Sequence, residues 1–165
     1  MAVRGDVETL YRQCAPAVYK YLLCLTHDQA LAEDLTADTF ERALGGFERF
    51  RGDCTPTAWL CAIAKRLWYG ELRRKRRALP LPEDDRLVSE EDIERAYVRR
   101  EDKMALYRAL RTLDEETREV FYLRLSGDMT FEEIGDIIGR SAVWARVAHY
   151  RGKEKLKERM RRDDE

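Results

Sequence analysis

Residues 130 to 156, TFEEIGDIIGRSAVWARVAHYRGKEKL, leave this chain few choices of local structure. Thr130 and Glu133 have the T-x-x-E spacing in which a hydroxyl and a carboxylate each take an amide at a helix start. Phe131, Ile134 and Ile138 then share one helical face. Gly139 stands where the chain must turn with positive φ. Ser141 is placed to cap a second helix. The pattern predicts a helix-turn-helix. On its second helix Val143, Val147 and Tyr150 repeat at i, i+4, i+7, which predicts that they pack inward. Ala142, Ala145, Arg146, His149 and Lys153 then share the face that a recognition helix offers to a major groove. From Arg140 to Arg162, nine Lys/Arg against two Glu leave a local charge of +7, which suits a polyanion.

The formal net charge of the 165 residues is only −1, but the charge is segregated. Residues 62–77 carry +6, residues 83–94 carry −6 and residues 27–53 carry −4. Two basic blocks separated by acidic ones imply two anion-binding surfaces on a protein that also meets another partner. A single block would be read as a solvated helix face. Two blocks that each coincide with a motif are harder to dismiss. No apolar run is long enough to span a bilayer, and no signal-type start is present. The expected location is the cytoplasm, without membrane insertion. Cys14, Cys24, Cys54 and Cys61 form no C-x-x-C pair, so buried reduced thiols are expected rather than a metal site.

Helical spacing recurs along most of the chain. Leu10, Cys14, Val18, Tyr21 and Leu25 mark a first helix containing Pro16. Thr26-His27-Asp28 reads as a turn and cap, and Leu31, Leu35, Phe40 and Leu44 mark a second helix that Gly45-Gly46 should stop. Thr55 or Thr57 caps a third, through Trp59, Leu60, Ile63, Leu67 and Leu72. Residues 78–92, ALPLPEDDRLVSEED, break the pattern with two prolines and strong acidity. Helical spacing resumes near Ile93 and reaches a break at Asp114. A short helix then runs from Thr117 to Leu125. The expected fold is all-α: two small helical lobes, residues 1–77 and 95–165, joined by a flexible acidic linker over 78–94.

The second basic segment, FRGDCTPTAWLCAIAKRLWYGELRRKRR, mixes aromatic and basic residues. Lys65, Arg66 and Arg73 can track a phosphate backbone. Trp59, Trp68 and Tyr69 offer stacking surfaces to unpaired bases, each worth about 1–3 kcal/mol where it occurs. Arg51, Asp53, Cys54 and Thr55 can wall a pocket for an extruded base. Trp59 shares the apolar face of Ile63 and Leu67, which favours a place in the core. Tyr69 fits either role, and Trp68 is not oriented by its neighbours.

With both segments read, the chain resembles the sigma-70 family of RNA polymerase sigma factors, in particular the extracytoplasmic-function group that keeps only regions 2 and 4. LYRQCAPAVYKYLL resembles the start of region 2, and AEDLTADTF resembles the family's core-polymerase-binding helix. FRGDCTPTAWLCAIAKRLWYGELRR resembles the segment that opens and reads the −10 element, and residues 109–156 resemble region 4. The resemblance implies that Asp34, Leu35, Thr39 and Phe40 dock on core polymerase. It implies that the loop from Arg51 to Thr57, with Arg51, Asp53 and Thr55, captures a flipped non-template base. Lys65, Arg66, Trp68, Tyr69, Arg73 and Arg74 would then meet the single-stranded −10 DNA. Arg140, Ser141, Trp144, Ala145, Arg146, His149, Arg151 and Lys155 would meet the duplex −35 element. Departures from the pattern include Thr36-Ala37-Asp38 in the core-binding motif and Trp144-Ala145 at the recognition helix. Gly70 stands where the family often has Asp, at a cost of about 1 kcal/mol relative to Ala in a helix.

The implied function is promoter-specific transcription initiation with core RNA polymerase and promoter DNA as partners. An anti-sigma factor is a further implied partner. No cofactor, metal or catalytic group of this chain's own is expected. The alternative is an ordinary helix-turn-helix regulator that binds duplex operator DNA without joining a polymerase.

Overall fold

Helix caps set the element boundaries. A computed structural model describes residues 2–50, 52–78 and 101–163. Seven α-helices occur among them: α1 Ala2–Thr26, α2 Gln29–Gly46, α3 Pro56–Ala78, α4 Glu101–Leu110, α5 Glu115–Gly127, α6 Phe131–Ile138 and α7 Ala142–Asp163. A 3-10 turn, Phe47–Arg49, follows α2. No strand occurs among the described residues. The chain divides into two units, Met1–Ser89 and Glu90–Glu165. Of the expected linker over 78–94, Ala78 closes α3, and residues 79–94 lie outside the described residues, as does Arg51.

In the N-terminal unit α1, α2 and α3 pack pairwise against one another. Asp28 caps α2 by accepting from the Leu31 amide at 3.1 Å. Thr55 caps α3 by accepting from the Ala58 amide at 3.3 Å, and Pro56 takes the first helical position, where its missing N–H costs nothing. Pro16 lies within α1 without ending it. The core joins Val18, Tyr21 and Leu22 of α1 to Leu35, Thr39 and Phe40 of α2 and to Leu60, Cys61 and Ala64 of α3. The buried Thr36 and Thr39 hydroxyls donate to the Ala32 and Leu35 carbonyls at 2.7 and 2.6 Å, so neither is left unsatisfied. Two expectations are corrected. α2 continues through Gly45-Gly46 rather than stopping before them. Leu44 is 55% exposed and outside the core, because the inward stripe of α2 falls on Leu35, Thr36, Thr39, Phe40 and Ala43.

In the C-terminal unit α7 is the hub: α4, α5 and α6 each pack against it. Asp114 caps α5 through the Thr117 amide at 3.1 Å. The expected capping box is present, with Glu133 N–H donating to the Thr130 hydroxyl at 3.2 Å and Thr130 N–H to the Glu133 carboxylate at 3.1 Å. Gly139 has φ +84, and its amide and that of Arg140 both donate to the Gly135 carbonyl at 2.8 Å. Ser141 then caps α7 through the Trp144 amide at 3.0 Å.

The inward face of α7 is not the expected one. Val143, Val147 and Tyr150 are 65, 41 and 66% exposed. Ala145, Ala148, Gly152 and Leu156 are buried instead. The reason is close approach. A Cβ on Gly152 would fall 2.5 Å from the Phe121 ring and 3.1 Å from the Thr117 methyl, so at this position only glycine lets α7 seat on α5. Val143, Val147 and Tyr150 are left on the other side of the helix, while Leu156 packs inward one turn beyond Gly152.

Candidate nucleic-acid interface

The N-terminal unit places its basic residues along the outer side of α3. Arg66, Arg73, Arg74 and Tyr69 are exposed, while Lys65 and Trp68 are half-buried. The Lys65 ammonium lies 5.4 Å from the Tyr69 ring centre, and Arg74 pairs with Glu71 at 2.6 Å. Trp59 is held against Phe50 and Phe47, with ring centres 4.9 and 6.4 Å away, which fastens the 3-10 turn to α3. Beside this contact runs a groove of about 670 Å³ lined by Arg42, Gly46, Arg49, Trp59, Ile63, Arg66, Leu67, Gly70, Glu71 and Arg73. Its lining carries four guanidiniums against one carboxylate. Arg42 and Arg49 were not among the sequence candidates. They sit in a stretch of net negative charge, and only the fold brings them beside Arg66 and Arg73. Asp53 is exposed on the loop after Gly52, whose φ is +78, and Thr55 is engaged as the cap of α3.

The four motif residues on α2 separate into two groups. Asp34 is exposed, as are Asp38 and Glu41 on the same side of the helix. Leu35, Thr39 and Phe40 are at most 7% exposed and belong to the unit's own core. Phe40 meets the Tyr11 ring edge-on at 4.8 Å.

In the C-terminal unit Arg146, Arg151 and Lys155 are exposed on α7. Arg140 forms a two-pronged bond to Glu116 at 3.1 and 3.2 Å and lies 5.1 Å from the Trp144 ring centre. Ser141 spends its oxygen on the cap. Two expected contacts are corrected. Ala145 is fully buried and cannot reach a base. His149 stacks on Phe121 at 4.8 Å and lies 5.4 Å from Phe131, so its ring belongs to the packing between α5, α6 and α7.

Burial, followed by the nearby charges of Arg124 and Lys153, lowers the His149 pKa below its ordinary 6.5. The folded state therefore favours the neutral ring. Its contribution to stability is complete above about pH 6.5 and is lost as pH falls through the folded-state value. Melting of the C-terminal unit is expected to drop on acidification below that point, and His149→Phe is expected to flatten the dependence. An unchanged slope in the variant would assign the titration to other groups.

Cys14, Cys24 and Cys61 are buried thiols, and Cys54 is half-buried. Burial and then the neighbouring Cys14 push the Cys61 thiol up to about 12, which keeps it protonated and unreactive. Among the described residues no His/Cys/Asp/Glu group could hold a metal ion, and no helix is long and apolar enough to cross a membrane.

Two family descriptions match the chain in order: Sigma-70 region 2 over residues 10–78 and Sigma-70, region 4 over residues 103–156. The chain is 31% identical over 169 residues to the RNA polymerase sigma factor YlaC of Bacillus subtilis, covering 100% of this chain and 98% of that protein. It is also 31% identical over 157 residues to the RNA polymerase sigma factor CarQ of Myxococcus xanthus, covering 92% and 87%. In a solved complex from Bartonella quintana, the sigma factor RpoE bound to the anti-sigma factor NepR has a similar fold. The TM-score is 0.71 at 20% identity, over 94% of this chain and 97% of that one.

Proposed function

The chain belongs to the sigma-70 family, as an RNA polymerase sigma factor of the extracytoplasmic-function type, and from that premise we propose how its surfaces divide the work. The outward acidic side of α2, with Asp34 at its centre, meets core polymerase. Leu35, Thr39 and Phe40 hold that helix in place from behind. The basic side of α3 and the loop before it take the unpaired non-template strand of the −10 element. Asp53, Arg66, Tyr69, Arg73 and Arg74 provide contacts there, and Lys65 and Trp68 lie alongside. Capturing unstacked bases lets binding free energy drive strand opening without ATP. The outward side of α7, with Arg146 and Arg151, enters the major groove of the −35 element. Phosphoryl transfer belongs to the polymerase, so this chain acts as an initiation factor in the cytoplasm and not as an enzyme. An anti-sigma factor is its natural antagonist, by analogy with the RpoE–NepR pair.

The observation that carries this reading is the coincidence of each family match with its own basic helix face, α3 in one unit and α7 in the other. The test is in vitro transcription by core polymerase with and without the purified chain on a promoter library. New start sites that depend on the chain are expected. Tight duplex binding by the chain alone, with no effect on start-site choice, would overturn the reading in favour of an ordinary regulator. Arg146→Ala is expected to weaken −35-dependent initiation by about 5- to 100-fold, the range for a lost bidentate base contact, while polymerase association stays unchanged. Equal loss on templates of every −35 sequence would instead assign Arg146 to phosphate.

A further inference from the structure

The outward side of α7 carries an unusual arrangement. At about 100° per residue, Val143, Val147 and Tyr150 fall within an arc of about 60° on the helix wheel. Ala145, Ala148 and Gly152 lie opposite, facing the unit's core. The three outward residues are 65, 41 and 66% exposed, so the described residues leave much of the stripe open. Arg146 and Lys153 flank it on one side and Arg151 on the other, all exposed. Apolar side chains framed by cations match a ligand that is anionic at its edges and carries apolar groups between them. The major groove of duplex DNA has this character: phosphates border it, and the thymine C5 methyl is the apolar group it displays.

Building on the −35 role assigned to α7, we propose that Val143, Val147 and Tyr150 determine specificity by recognising thymine methyl groups. The chemistry of the early turns supports this. Val143 and Val147 have no side-chain hydrogen-bonding group, so discrimination at their positions has to come from apolar contact. His149 is stacked on Phe121 and is turned away from this role. Arg146 is the one long cation beside the stripe in these turns, and it can read a guanine or hold a phosphate. Val143 and Val147 are separated by about 6 Å along the axis, four residues at 1.5 Å. That distance spans one to two base-pair steps of about 3.4 Å. The preferred −35 element is therefore expected to hold closely spaced thymines, on one strand or across it.

The test uses the full chain assembled with core polymerase. A −35 sequence is first selected from a randomised library by transcription. Each thymine in it is then replaced by deoxyuridine, which keeps the hydrogen-bonding edge and removes only the methyl. At one or two positions open-complex formation is expected to fall about threefold to fivefold, the effect of one buried methyl. Val147→Ser is expected to abolish that sensitivity at one position. The substitution lies on the surface, and melting checks that the unit stays folded. Uridine tolerated at every position, or a selected element without thymine on either strand, would overturn the proposal and leave the stripe to a protein ligand. Chain-dependent transcription would persist in that case. Its absence on every template would be the separate failure of the sigma-factor reading.

Discussion

Gly135→Ala is expected to lower the melting temperature of the C-terminal unit by roughly ten degrees or more and to abolish −35 recognition with it. In a helix interior this exchange normally stabilises by about 1 kcal/mol. Here the added Cβ would lie 2.6 Å from the Arg140 carbonyl oxygen and 3.1 Å from the Ser141 carbonyl carbon and oxygen. The obstacle is backbone, and it has nowhere to go. The amides of Gly139 and Arg140 both donate to the Gly135 carbonyl, so the turn is cinched against the residue being enlarged. Overpacking of this kind costs about 1–3 kcal/mol or more, and each kcal/mol moves a domain of this size by about 4–8 °C. Calorimetry or circular dichroism reads the shift. A variant that melts like the parent would mean that the α6–α7 turn is looser than described.

Reversing the charge on the outer side of α2 is expected to reduce association with core polymerase at least tenfold, without affecting folding. Asp34→Lys with Asp38→Lys alters two exposed side chains one turn apart and removes no core contact. Long-range electrostatics speed docking, so the loss is expected chiefly in the association rate and to shrink at high salt. Phe40→Ala should behave differently. Phe40 is 7% exposed and packs on Tyr11, so truncation costs about 3–5 kcal/mol of stability. Any loss of binding there reports an unfolded unit. Surface plasmon resonance against core polymerase, run beside thermal melts, separates the two. Normal association by the double lysine variant would remove α2 from the polymerase interface.

Local rules were legible in the amino-acid order. The capping box at Thr130 and Glu133, the positive φ at Gly139 and the caps at Asp28, Thr55 and Ser141 each depend on residues within a few positions of one another. The face of α7 was not legible. Val143, Val147 and Tyr150 have the same helical period as Ala145, Ala148 and Gly152, and hydrophobicity favours the larger set. What decides between them is the distance between α7 and α5, which residue order along α7 does not contain. The same limit applies to α2, where D-L-x-x-x-T-F spans both the exposed and the buried side. It applies again to Arg42 and Arg49, which join the basic groove only through tertiary packing.

The central position of α7 has an implication for how such proteins diversify. On the proposed division of surfaces, one rod is both the axle of its unit and the key cut to fit an address in the genome. The teeth of the key and the bearing surface lie on opposite sides. A few outward changes can rewrite the address while the assembly beneath stays still.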